Sequence, residues 1–256
     1  MIFFRGFLCA GFFLCSSVFS QQWVGESNDY KLTYLSISAV SISLSIPEIV
    51  QVDNKKAYRI VAYSKTTSFF SQFYSLENKY ETFVDVETGL PLRYHKFITQ
   101  KTIKQELMAN YDHGKNTAHY EGGKFPESFD IPVQENSHNF FSMIYFLRRE
   151  SLEVGKTYRM NLDVETEPWK VEAKVIQRET VEAVDREWDA FKVEFKFIPM
   201  KEEIKRKKTD ILTRRLATSK TRLIFWIAAE APHPFLKIEF EMSPFSAYTK
   251  LVEMKP

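Results

Sequence analysis

Phe191-Lys192-Val193-Glu194-Phe195-Lys196-Phe197 alternates apolar and charged residues without a fault, and Pro199 stands just beyond it. Successive side chains of a strand point to opposite faces, so the four apolar residues share one face and the three charges share the other. Val40-Ser41-Ile42-Ser43-Leu44-Ser45-Ile46, ended by Pro47, and Leu236-Lys237-Ile238-Glu239-Phe240-Glu241-Met242, ended shortly by Pro244, repeat the pattern. A strand with one dry and one wet face is the habit of antiparallel sheet. Weaker runs of the same kind span 30–37, 58–65, 79–86, 92–99, 103–111, 157–164, 170–180, 223–229 and 247–254. Glu87-Thr88-Gly89-Leu90-Pro91, Asp112-His113-Gly114-Lys115-Asn116, Gly122-Gly123 and Glu153-Val154-Gly155 punctuate them as turns. The pattern predicts roughly twelve strands at meander spacings.

Two stretches read as helix. Asn136-Ser137 can cap a segment running to about Arg148, in which Phe140, Phe141, Ile144, Tyr145 and Leu147 form an apolar stripe. A shorter segment over 68–76 places Phe69 over Phe73 and Phe70 over Tyr74 at i,i+4. A sheet of this many strands cannot stay open and flat, so it twists and curls or closes. The expected fold is mainly β, an antiparallel curled sheet forming a half-barrel or barrel with one helix packed in its concave side.

The first twenty residues carry one cation, Arg5, then an apolar run through Cys15 and a close of Val18-Phe19-Ser20. This is the layout of a secretory signal cleaved before Gln21. An uncleaved anchor is the rival reading, but the run is short of the ~20 apolar residues that a spanning helix needs. Lipidation at Cys9 or Cys15 is a second rival, weakened because each follows a leucine directly rather than a small residue. Cleavage leaves residues 21–256 as one β-rich domain in the periplasm or outside the cell, without a cysteine and so without disulfides. It also takes the formal charge from +2 to +1, and near-neutrality gives no global argument for a nucleic-acid partner.

The order of features resembles the exported bacterial family grouped as domain of unknown function three-one-zero-eight. The stretches that carry the resemblance begin with Gly25-Glu26 and Tyr30-Lys31-Leu32-Thr33-Tyr34, followed by Phe83-Val84-Asp85-Val86-Glu87-Thr88-Gly89-Leu90-Pro91. Tyr145-Phe146-Leu147-Arg148, Leu223-Ile224-Phe225-Trp226-Ile227 and Ala231-Pro232-His233-Pro234 complete them. The resemblance implies a fold similar to the lipoprotein-carrier half-barrels of the periplasm, and it implies no activity.

No catalytic signature stands out. Gly-x-Ser-x-Gly and His-Glu-x-x-His are both absent, and the five histidines are scattered. Asp112, His113 and His119 flank one turn, where polar residues are the default, and no fourth ligand accompanies them, so neither metal nor cofactor is expected. Phe69, Phe70, Phe73 and Tyr74, with Phe140, Phe141, Ile144 and Tyr145, either plug one end of the core or line an apolar cavity. Residues 201–222 carry nine Lys and Arg against three acids, with Lys205, Arg206, Lys207, Lys208, Arg214 and Arg215 the candidates for surface binding. Ile204, Ile211, Leu212 and Leu216 recur near helical spacing within it, so the stretch is either a solvated loop or a basic amphipathic segment suited to an anionic membrane. Arg148 and Arg149 end the longer helix, where cations suit its negative pole. The leading functional reading is a non-enzymatic carrier of a lipid or lipoprotein. An envelope scaffold docking through the basic stretch is the first alternative, and a divergent hydrolase the last.

Overall fold

The structure, a computed structural model, describes residues 23–201, 209–216, 218, 222–242 and 245–255. In chain order the elements are β1 (Ser27–Tyr34), β2 (Ile37–Ser45), β3 (Ile49–Val52), β4 (Lys55–Thr66), α1 (Ser68–Ser71), β5 (Leu76–Asp85), β6 (Pro91–Gln100), β7 (Ile103–Asp112), β8 (Thr117–Gly122), β9 (Phe129–Pro132) and β10 (Ser137–His138). There follow α2 (Phe140–Leu147), β11 (Thr157–Val164), β12 (Glu167–Ala183), β13 (Arg186–Pro199), α3 (Ile211–Leu216), β14 (Arg222–Ala228), β15 (Phe235–Met242) and β16 (Phe245–Lys255). The strands form one sheet in the order β10-β11-β12-β13-β14-β15-β16-β1-β2-β4-β5-β6-β7-β8-β9, with β3 paired to β4 off that path. Neighbours are antiparallel except β10 with β11. The sheet is curled and unclosed, and α2 lies in its concavity, as the alternation predicts.

Several hairpins turn on two residues that both have positive φ: Leu35-Ser36, Asp53-Asn54, Glu165-Thr166 and Val184-Asp185. Such turns match the right-handed twist of the flanking strands, which is why they prevail even where the residues are not glycine. They also lie outside the Gly- and Pro-marked turns read from the sequence.

The antiparallel register sorts the connections into two ends. Tyr34 pairs with Ile37 and with Ala247, Met242 with Phe245, and Leu76 with Gln100. The β1–β2, β4–β5, β6–β7 and β15–β16 connections therefore share one end of the sheet, and the link from β13 to β14 leaves and returns there, because Arg222 pairs with Glu241. The opposite end carries the β3–β4, β5–β6, β7–β8 and β12–β13 turns and residues 148–156.

Two helical expectations change. The longer helix is capped by Asn139, not Asn136: the Asn139 side chain accepts from Ser142 N at 2.9 Å, and Ser142 Oγ accepts from Asn139 N at 3.0 Å. This reciprocal pair satisfies two N-terminal donors at once, while Asn136 takes a positive φ and Ser137 and His138 pair with β11. The shorter helix stops at Ser71, because Leu76 is drawn into the ladder opposite Gln100.

Candidate functional site

Inward-facing residues of β1, β2 and β4 are spaced by two, so Tyr30, Leu32 and Tyr34, then Val40, Ile42 and Leu44, then Ala62 fall on one concave wall. With Phe140, Phe141 and Ile144 of α2, Ile211 and Leu212 of α3, and Phe225, Ile238 and Phe240 of the facing strands, they enclose a cavity of about 480 Å³. Its polar edge comes from tyrosines, Ser64, Thr66, Asn78 and Thr249, and among the described residues no charged side chain lines it.

The sequence candidates divide around this space. Phe70, Tyr74, Phe140, Phe141 and Ile144 line it. Phe69 and Phe73 do not: their rings meet edge to face at 5.6 Å and they are 54% and 63% exposed. Tyr145 is buried behind the cavity, its ring 6.1 Å from Trp23 and 5.8 Å from Phe235. Lys205, Arg206, Lys207 and Lys208 lie outside the described residues, as does the leader at 1–20, and Arg214 and Arg215 are placed in α3 by backbone alone. Ile211 and Leu212, read as part of a surface-facing stripe, turn inward to the cavity instead.

What turns them inward is a buried polar cluster that sequence reasoning missed. Lys96 of β6 is wholly buried and donates to Glu165, to Thr209 Oγ1 at 3.0 Å and to Asp210 Oδ2 at 2.9 Å. Asp210 also accepts from Thr213 N at 3.0 Å, which caps α3, and from the Tyr80 hydroxyl at 2.9 Å. Thr213 Oγ1 lies 3.0 Å from Glu165 and 2.7 Å from Asp210. Burial alone would raise the Asp210 carboxyl, but the Lys96 ammonium and the hydrogen bonds from Thr213 together outweigh it and hold the group below its ordinary value. Burial opposes the Lys96 charge in turn, and Asp210 and Glu165 hold it above the ordinary value. Burial first, then Asp210, pushes the Tyr80 phenol well up, so it stays a donor. Beside this cluster, Asp163 accepts from Tyr120 and, at 3.1 Å, from Tyr111. Side chains thus bridge β11 to β7 and β8, across the gap that the backbone ladder leaves open. One signal was present: Tyr94, Lys96 and Ile98 share a face in the 92–99 alternation, which sets a lysine among buried residues.

At the other end of α2, Arg148 is fully buried. It clasps Glu26 with both terminal nitrogens, at 2.9 and 2.6 Å, and donates to Pro232 O at 2.7 Å. Its guanidinium lies 4.9–5.4 Å from the ring centres of Tyr145, Trp23 and Phe235. Burial works against the charge, but Glu26 keeps Arg148 above its ordinary value. Arg149 reaches the neighbouring hairpin, donating to Glu87 O at 3.0 Å, where Gly89 has a φ of +74° and an added Cβ would strike the guanidinium at 2.5 Å. Four of the stretches behind the family resemblance therefore meet around one helix end: Gly25-Glu26, the 83–91 hairpin, Tyr145-Phe146-Leu147-Arg148 and Ala231-Pro232-His233-Pro234. The helix pole is a minor part of the role of Arg148; the buried pair with Glu26 dominates.

The 112–119 turn serves structure. Asp112 pairs with Lys115 at 3.0 Å, His113 meets Pro91 O at 2.7 Å, and His119 meets Asp130 at 2.8 Å. Among the described residues no group of three or more His, Cys, Asp or Glu could hold a metal ion.

No curated protein matches the chain in sequence. In structure it is similar to a beta-barrel-like protein of domain of unknown function DUF1849 from Brucella abortus, with 13% identity and a TM-score of 0.59, over 91% of this chain and 98% of that one. Weaker likenesses are a putative lipoprotein from Parabacteroides distasonis (10% identity, TM-score 0.36, 91% and 96% covered) and a putative exported protein with YmcC-like fold from Bacteroides fragilis (14% identity, TM-score 0.33, 91% and 96% covered). At these identities the first likeness bears on the fold alone, and it agrees with the curled sheet. The family model described as "Protein of unknown function (DUF3108)" matches residues 29–250, and the chain belongs to that family.

Proposed function

We propose that the protein is a non-enzymatic binding or carrier protein of the extracytoplasmic space that holds an apolar, lipid-like ligand in the concave cavity. The observation that carries this reading is the cavity itself: about 480 Å³, lined by aliphatic and aromatic side chains and by no charged one among the described residues. That volume lies within the roughly 300–1,000 Å³ range of small-molecule sites. An uncharged wall discriminates against charged groups, which would lose hydration without a partner, and accepts methylene chains at little cost. Ten buried methylenes at about 0.8 kcal/mol each amount to roughly 8 kcal/mol, micromolar affinity before ordering costs are subtracted. The export-type leader supports the compartment, which extraction of the periplasm would check. The function is tested by native mass spectrometry of protein purified from its own envelope, before and after organic extraction, together with Nile red titration of the extracted protein. A mass adduct removed by extraction and saturable Nile red binding are expected. An unadducted mass with no saturable Nile red binding would refute the carrier reading.

A further inference from the structure

We infer that the cavity is a blind hydrocarbon sleeve that selects its ligand by chain length, taking about ten carbons end-on and leaving the polar head at the mouth. This rests on the carrier reading of the same cavity and adds which part of the ligand is read. Strand register sets the floor. On β2, β4 and β5 the innermost lining residues are Leu44, Ala62 and Tyr80, and they form one cross-strand row, Leu44 opposite Ala62 and Ala62 opposite Tyr80. The next residue on the same face of each strand, Ile46, Ile60 or Thr82, is 0–2% exposed and does not line the space. Across from them Phe225 and Ile238 pair, and Phe235, its ring 5.3 Å from that of Phe225, lies behind them outside the lining. The outermost lining residues of the three strands are Val40, Thr66 and Leu76, each four positions from the floor row, and Tyr74 beyond them is 36% exposed. Four strand residues at about 3.3 Å each give a depth of about 13 Å. A zigzag of C–C bonds of about 1.5 Å advances about 1.3 Å per carbon, so about ten carbons reach from mouth to floor.

Polar side chains on the wall are turned to partners in the protein. Tyr80 donates to Asp210 at 2.9 Å and accepts from Asn78 at 3.2 Å, Tyr74 donates to Gln100 at 2.9 Å, and Thr66 Oγ1 accepts from Leu76 N at 3.0 Å. The Tyr30 hydroxyl and Asn78 Oδ1 have no partner, but both atoms are buried beneath the cavity surface, out of reach of an occupant. Among the described residues no charged side chain lines the space, so an ionised head inside would lose hydration without compensation. A head left at the mouth keeps its water, and chain contact then sets the affinity, at about fourfold per buried methylene. Length is therefore the discriminating feature. Ala62, between Leu44 and Tyr80, is the smallest side chain of the floor row and leaves the room that the last carbons occupy.

The test is displacement of Nile red from the extracted protein at pH 8 by n-alcohols and n-carboxylates of six to fourteen carbons, each below its aggregation threshold. Affinity should rise about fourfold per methylene up to about ten carbons and change less than twofold per methylene beyond, and an alcohol and a carboxylate of equal chain should agree within fivefold. Ala62→Leu should move the break down by about two carbons, and Ile60→Ala, which removes side chain from behind the floor, should move it up by about two. Ala62→Leu adds its volume toward open space, so it keeps the test decisive if Ile60→Ala fails to fold. A rise that continues to fourteen carbons, no rise at all, an alcohol and carboxylate more than fivefold apart, or a break that stays in place in Ala62→Leu would overturn the sleeve, while saturable Nile red binding would keep the carrier reading. No saturable Nile red binding by the unmodified protein would strike the carrier reading, and the sleeve with it.

Discussion

Replacing Lys96 with Met removes one charge from the centre of the fold and keeps most of the stem. Glu165 and Asp210 then face each other with side-chain exposures of 8% and 0% and no buried cation between them. Breaking a buried pair by deleting one partner typically costs about 3–5 kcal/mol, because the survivor stays desolvated. At about 2–4 °C per kcal/mol for a chain of this size, the melting temperature should fall by roughly 6–20 °C. The pH dependence follows from the directions of the shifts. Asp210 is held below its ordinary value, so its contribution is present above about pH 4 and is lost as pH falls through the folded value. Lys96 is held above its ordinary value, so its contribution is present below about pH 10 and is lost as pH rises through the folded value. Without Lys96, burial would raise the Asp210 carboxyl, and its protonation would relieve the variant in acid. Thermal unfolding followed by circular dichroism at pH 8 and pH 4 should therefore show a wide gap between the two proteins at pH 8 and a narrower one at pH 4. A shift under about 2 °C at pH 8, or a gap that widens in acid, would show that Lys96 does not hold α3 in place by charge.

Arg148→Met should destabilise by about 3–5 kcal/mol in urea unfolding, because Glu26 is left buried, and combining it with Glu26→Gln should recover part of the loss. Burial, and secondarily His113, lowers His138 to about 4 from 6.5. Its stabilising effect is thus complete above about pH 6.5 and fades as pH falls toward 4, by roughly 2 kcal/mol between pH 6.5 and 5, and His138→Phe should flatten that part of the stability profile. Ala62→Phe projects a ring into the cavity, so Nile red affinity should drop at least tenfold while the melting temperature holds.

Alternation made the sheet legible. Runs such as 40–46, 191–197 and 236–242 fix which side chains share a face, because a pleated strand has a period of two whatever surrounds it. The concave helix was legible in its apolar stripe, though its start was not: the sequence pattern put the cap at Asn136-Ser137, and the pairing of residues 137–138 with β11 moves it to Asn139. Phe70, Tyr74, Phe140, Phe141 and Ile144 could be named as cavity candidates from composition, whereas the outward aim of Phe69 and Phe73 depends on where Leu76 joins the sheet. The alternation of 92–99 sets Lys96 among buried residues, but the partners of the interior charges were beyond the sequence. Lys96, Glu165 and Asp210 are far apart in the chain, and Glu26 is 122 positions from Arg148, so nothing local marks them as partners. Local period decides the faces of a strand, and it did so here from sequence alone. The meeting of distant charges depends on how far a sheet of this size curls, and that is set by tertiary packing.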